Sequence, residues 1–405
     1  MRWPKTFKRV ATGSLAILLS GCTAIKAPKT LFITFGASQD SFESEARQVR
    51  SFLNRYSEAF QRSNPDTKIV YISYPNRQFF EQIEKDSRLN LGPDLIIIDN
   101  HYADELLARN LSTTLPKQKY FDSIYSPRLQ AIAKITSGYI FAPWLISAQI
   151  ACFNKAKIEN SPATVNELEA LSASGKKIGL ASNPTELSWT AGTQGAIAEF
   201  SQLGSTTVRR KNYPAIEKWL RWLQRAALYQ NISFHKDARE LATKLKENEL
   251  DWIPCWGIQL KDLETTMGQN LGIAALPNGA SSKAYPGFIS YGFALGKNSS
   301  PTQRAMAMKF IQTDVNEIAQ RKLQLDNVGY LAANQNVSVP PESSRTLAAL
   351  NTSFNNQRKS YQTNQDGLKL YAQKFPQLNR AIEDLINGYL DVNEALKLIT
   401  TPQTK

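Results

Sequence analysis

Histidine is nearly missing from this chain: His101 and His235 are the only two in 405 residues, and cysteine is confined to Cys22, Cys152 and Cys255. These residues form no closely spaced cluster, which argues against a structural zinc site, and no metal or cofactor is expected. No GxGxxG follows a strand, so the dinucleotide fingerprint is absent. The nucleophile elbow GxSxG, the HExxH helix and the Ser/Lys signatures are absent too. Dense basic runs are lacking, although positive charge is in excess, with 48 Lys and Arg against 35 Asp and Glu. With the cations scattered and no recognisable module to gather them, nucleic acid is not an expected partner. Beyond the first twenty-odd residues no apolar run reaches the length of a membrane span.

What is present points to export and to two lobes. Arg2, Lys5, Lys8 and Arg9 precede a short apolar core at Val10–Leu19, the pattern of a signal peptide rather than a spanning helix. Leu19-Ser20-Gly21-Cys22 follows. Removing residues 1–21 leaves 44 basic residues against 35 acidic, a surplus of nine that could steer an anionic ligand or favour an anionic surface. A length of 405 residues exceeds the roughly 250–300 at which single cores stop growing. In an exported chain Cys152 and Cys255 could pair or could remain buried thiols; spacing alone leaves both open.

The organising stretch is Gly138–Lys155, GYIFAPWLISAQIACFNK, two β-prone runs flanking Pro143-Trp144 with no charge before Lys155. An uncharged run of this kind, with α/β segments on both sides, reads as a strand crossing between two lobes. Ahead of it, Thr30–Phe35, Lys68–Tyr74 and Leu95–Ile98 alternate with helices over Asp40–Phe60 and Phe79–Leu89, a βαβαβ order that implies a parallel sheet. After it come a helix starting at Thr164, a strand at Lys176–Leu180, a loop containing Trp189, helices at Gln194–Gln202, Ala215–Leu228 and Ala238–Lys246, and strands at Leu250–Trp256 and Leu271–Leu276. Phe288–Leu295 reads as the return crossing, with helices at Pro301–Gln312, Asn316–Leu325 and Leu378–Leu390 beyond. Trp219 and Trp222 fall on the apolar face of their helix and are expected to pack.

Ligands of open α/β sheets bind outside the carboxyl ends of the strands. The candidates are therefore Ser38 and Gln39, Asp99 and Asn100, Trp144, Trp189, Trp256, and Phe288 to Tyr291. Aromatic faces suit the C–H faces of a sugar ring, and carboxylates and amides serve its hydroxyls. Asp99 could equally cap the helix that follows it.

The Leu19–Cys22 segment resembles the bacterial lipobox. Together with FQRSNPDTKIVYISYP, GPDLIIID, FAPWLISAQIACFNK, Trp256-Gly257, Pro286-Gly287 and LNRAIEDLINGYLDVNEAL, it makes the chain resemble solute-binding lipoproteins of ABC importers, in the family of maltose-binding protein. That resemblance covers nearly the whole mature chain. It implies an α/β periplasmic-binding-protein-like fold of two lobes, each a mainly parallel sheet flanked by helices. The expected division is a signal peptide at 1–21, a lipidated tether at 22–29, lobe 1 at 30–142 and 293–335, and lobe 2 at 143–292 and 336–405. It also implies capture of a carbohydrate by hinge closure and delivery to a membrane permease. The chain would be a monomer, tethered through lipid on Cys22 and facing the periplasm or cell exterior. Gln39, Asp99, Asn100, Trp144, Trp189, Trp256, Phe288 and Tyr291 are its expected ligand contacts, and no catalytic residue is expected. The turn Gly36–Gln39 lacks the bulky aromatic that many sugar binders carry there. The alternatives are a polyol, a glycerol-phosphate-type compound, a peptide or another anionic solute, or, in a different class, an exported hydrolase working through two carboxylates.

Overall fold

The computed structural model describes residues 29–37, 42–116, 118–203, 212–337, 340, 343–356 and 375–401. The expected signal peptide, Cys22, Ser38 and Gln39 lie outside the described residues.

Two βαβ steps open the fold. In β1 (Lys29–Ala37), Leu31, Ile33, Phe35 and Ala37 are buried at alternate positions, the period of a pleated strand with one face in a core. Helix Phe42–Ser63 buries Ala46, Leu53 and Phe60 and returns the chain to β2 (Thr67–Pro75), parallel to β1 from Lys29↔Thr67 to Ala37↔Pro75. Helix Phe79–Arg88 then leads into β3 (Leu95–Asp99), parallel to β1 on its other side. The short β4 (Ser112–Thr113) follows. Helices Gln118–Ile124 and Pro127–Ala133 come next, the second started by a Ser126 cap with proline in its first turn.

After β5 (Lys134–Ile135) and β6 (Gly138–Tyr139) comes the spine of the molecule, β7 (Ala142–Asn154), buried at all thirteen positions. The remaining strands are β8 (Ile178–Ala181), β9 (Ile232–His235), β10 (Trp252–Trp256), β11 (Leu271–Ala274), β12 (Phe288–Gly296) and β13 (Leu331–Ala332). Their main order is β2-β1-β3-β12-β7-β10-β8-β9. Residues Ala142–Ala148 of β7 pair with β12, whereas Gln149–Phe153 pair with β10 and Ala151–Asn154 with β11. One strand thus serves both lobes and changes partners between Ala148 and Gln149. Positions 142/143 and 292/293, the expected divisions, lie within β7 and β12, where β12 pairs with β7 from Phe288 to Phe293 and with β3 from Tyr291 to Leu295. Pro143 is accommodated by a bulge: the register passes from Tyr291↔Leu145 to Gly292↔Pro143.

Helices Pro301–Asp314 and Glu317–Asp326 cover the first lobe, and Phe375–Ile386 and Val392–Thr400 pack on Pro214–Ala227 in the second. Cys152 and Cys255 form a disulfide across β7 and β10, with Cα atoms 5.8 Å apart. Where β10 ends and β13 begins, Gly257 and Gly329 lie back to back beside the crossing. A Cβ on Gly257 would stand 2.1 Å from the Gly329 carbonyl oxygen, and Gly329 holds φ +98°, so only glycine permits this contact.

Asp314, closing its helix, is 5% exposed, and burial holds its carboxyl well above its ordinary value of 3.8. A raised carboxyl contributes stability that is complete below the unfolded value and is lost as pH rises through the folded one. Asp314→Asn is therefore expected to stabilise the protein by about 1–3 kcal/mol at neutral pH, with the gain vanishing in acid. Denaturant melts at the two pH values check this; an equal gain at both would contradict it.

Candidate functional site

Four residues from distant parts of the chain meet at the crossing. Trp256 ends β10, and its indole Nε1 donates to Glu186 Oε2 at 3.2 Å. Glu186 lies in the first turn of helix Pro184–Thr193, where the Asn183 side chain accepts its backbone N–H at 3.0 Å and Pro184 presets the helical φ. Its Oε1 accepts the N–H of Ala238 at 3.3 Å, at the positive end of helix Ala238–Lys246. Gln149 of β7 donates through Nε2 to the Glu186 carbonyl at 3.2 Å and to Oε2 at 3.4 Å. Gln149 Oε1 in turn accepts the Gly287 N–H at 2.8 Å, and the Gln149 N–H donates to the Gly287 carbonyl at 2.9 Å. A Cβ at Gly287 would fall 2.7 Å from Trp256 Cη2, so glycine is what lets the backbone lie on the indole.

Burial pushes the Glu186 carboxyl above its ordinary 4.5, against the opposing pull of the Trp256 indole and the Ala238 N–H. The Trp256, Ala238 and Gln149 donors hold this carboxyl group in place at the crossing.

The other expected residues lie along β3 and β12 of the first lobe. Asp99 ends β3 and stands opposite Tyr291 in the pairing with β12. Its Oδ1 accepts the His101 N–H at 2.8 Å, an Asx turn, so it does not cap the helix Ala103–Ala108. Asn100 and Ser290 exchange bonds: Ser290 N–H to Asn100 Oδ1 at 2.7 Å, and Asn100 N–H to the Ser290 carbonyl at 3.0 Å. Next to Gly287, Phe288 lies 3.8 Å beneath the Arg128 guanidinium, which also sits 4.2 Å from the Phe354 ring and donates to the Phe354 carbonyl.

The structure thus brings Asp99, Asn100, Phe288 and Tyr291 together along β3 and β12 and joins them to Trp256 through Gly287. Trp144 and Trp189, expected at the cleft, sit instead in the two cores. Trp144 is 3% exposed among Phe52, Tyr56 and Phe293, because its position in β7 turns it toward helix Phe42–Ser63. Trp189 is fully buried 6.1 Å from Trp252, in a helix where a loop was expected; Pro184 starts that helix rather than interrupting it. Trp219 and Trp222 pack as expected, with their indoles donating to Thr190 and Glu169 at 2.8 Å. Glu186 and Gln149 escaped the sequence reading. The usable signals were an amide in the middle of a mostly apolar buried strand and an Asn-Pro-x-Glu helix start.

Among the described residues no helix is long and apolar enough to cross a membrane, and no three His, Cys, Asp or Glu side chains are placed to hold a metal. The chain belongs to the bacterial extracellular solute-binding protein family, whose model matches residues 44–313. Solved structures share the two-lobed fold. The maltose-binding periplasmic protein of Listeria monocytogenes, in complex with maltose, is 16% identical with a TM-score of 0.70, covering 92% of this chain and 97% of its own. The GacH receptor of Streptomyces glaucescens, solved unliganded and with acarbose, is 14% identical with a TM-score of 0.70, over 92% and 97% of the two chains. A solute-binding protein of an ABC transporter from Thermotoga lettingae, bound to α-D-tagatose, is 13% identical with a TM-score of 0.67, over 92% and 98%. No curated protein matches the sequence.

Proposed function

We propose that this protein captures a carbohydrate between its lobes and delivers it to the permease of an ABC importer. The observation that carries the reading is the unit of Trp256, Glu186, Gln149 and Gly287 at the crossing, combining an aromatic ring with a donor-ringed carboxylate and an amide. Asp99, Asn100, Phe288 and Tyr291 supply the opposite wall, with Gln39, two residues beyond β1 in sequence, as a further contact. A ligand touching both walls binds best when the lobes are closed, so its binding energy shifts the population toward closure. Maltose, acarbose and tagatose in the related structures support a sugar. The family is one of binding proteins, which favours a transport role over an exported hydrolase.

The protein acts as a monomer, exported and held by lipid on Cys22 to a membrane facing the periplasm or cell exterior. The Cys152–Cys255 disulfide supports export, since such bonds persist in oxidising compartments.

A thermal-shift panel of mono-, di- and oligosaccharides, polyols and organic phosphates tests the ligand class. A ligand at about a hundred times its Kd adds roughly 2.7 kcal/mol to the folded state. A saturable shift is expected from a saccharide. A shift confined to phosphate compounds would transfer the reading to an anionic solute, which the surplus of positive charge would suit.

A further inference from the structure

The parallel strands β1, β2 and β3 end together, at Ala37, Pro75 and Asp99, and form one rim of the first lobe. That rim is turned toward the crossing. The chain enters β12 from Gly287, which lies on Trp256, and reaches the end of β3 at Tyr291↔Asp99. Carboxyl ends of strands in such sheets are where ligands bind.

The end of β1 offers this rim no aromatic surface. Residues 36–39 carry no aromatic side chain, and position 36 has no room for one, because a Cβ on Gly36 would run into Asn76 Oδ1 and touch the Phe79 ring. The end of β3 does offer one. Asp99 Oδ1 accepts the His101 N–H at 2.8 Å, and the Asp99 carbonyl accepts the Tyr102 N–H at 3.2 Å, so the chain turns and sets Tyr102 just beyond Asp99. The Tyr102 side chain rests against Phe80, with ring centroids 6.0 Å apart and a tilt of 59°. Phe80 in turn lies 5.0 Å beneath the Arg109 guanidinium, which Glu105 holds at 2.7 Å. Tyr102 remains 50% exposed. A ring backed by its neighbours and half open to solvent supplies stacking area at little cost in ordering.

Distance along the rim gives this ring its role. From Gly287 to Tyr291 the extended chain advances about 13 Å, farther than one pyranose ring reaches, and Tyr102 lies past that point. We propose that Tyr102 is a specificity-determining contact of the first lobe. Its ring stacks on a second sugar unit of a solute whose first unit lies at Trp256, so saccharides of two or more units are preferred to single rings. The inference rests on the sugar reading of the site and adds to it the residue that senses length.

Titration calorimetry of the wild type and of Tyr102→Ala, Tyr102→Phe and Trp256→Ala tests it. The single rings are glucose, galactose and mannose; the longer probes are maltose, cellobiose, lactose and maltotriose. The wild type is expected to bind at least one longer saccharide more tightly than any single ring. Tyr102→Ala should weaken that binding roughly tenfold and change the Kd of a single ring by less than about twofold. Tyr102→Phe keeps the aromatic face and should stay within about threefold of the wild type. Trp256→Ala should weaken both kinds of solute. Because Tyr102 is half exposed, its variants should melt with the wild type. A single ring as the tightest ligand, no loss in Tyr102→Ala, or an equal loss for short and long saccharides overturns the proposal and leaves the sugar reading standing. Silence of the wild type toward every sugar overturns that reading and the proposal with it, so the wild-type titrations tell the two failures apart.

Discussion

Replacing Trp256 with alanine is expected to weaken solute binding by about 2 kcal/mol or more, roughly thirtyfold in Kd. The indole does two things at once. Its ring is the surface on which Gly287 lies, and its N–H holds the Glu186 carboxylate at 3.2 Å. Alanine removes both, so Glu186 loses a donor that opposes the cost of its burial and the return crossing loses its support. Trp256→Phe keeps an aromatic face and loses the N–H, so its affinity should fall between the two. Titration calorimetry with the saccharide found in the thermal-shift panel measures the effect. An unchanged Kd in a folded Trp256→Ala variant would remove this residue from the site.

The second large effect is on stability. Cys152 and Cys255 are both fully buried and close a loop with a sequence separation of 103. A cross-link over about a hundred residues restricts the unfolded chain strongly, and removing a native one costs about 2–5 kcal/mol. The double replacement Cys152→Ala, Cys255→Ala should show that loss in urea melts. The pair also bears on the site: Cys255 precedes Trp256, and β10 sets Trp256 opposite Gln149. A slip of one residue in that pairing would turn Trp256 to the wrong face of the sheet. A melt unchanged by the double replacement would contradict the assigned role.

The parts of the fold that sequence foretold are those where a local pattern carries the physics. Gly138–Lys155 could be read as a crossing because a strand buried on both faces excludes charge along its length, and β7 is buried throughout. The opening βαβαβ order was legible in its strand–helix alternation, and the helix starting at Thr164 in its side-chain cap. Helix Arg345–Asn356 was missed because its surroundings are rich in Asn, Gln and Ser, while its buried side, including Leu347 and Leu350, is small. Asp99, Asn100, Phe288 and Tyr291 were expected as contacts because strand ends are where such folds bind, and the structure places them together along β3 and β12. Trp144 lies in a core; an aromatic beside a proline does not disclose which side of the sheet it faces. Trp189 lies in a core because Asn183-Pro184 starts a helix there. Glu186 and Gln149 could not be joined from sequence, since 37 residues separate them and only the folded crossing brings them into contact.

The central claim is that a carbohydrate is held between the lobes by closure about β7. Small-angle X-ray scattering of the protein with and without a saturating concentration of the bound saccharide tests it most directly. A smaller radius of gyration in the loaded protein is the predicted result. Identical scattering curves, with binding confirmed in the same sample, would contradict closure as the mechanism.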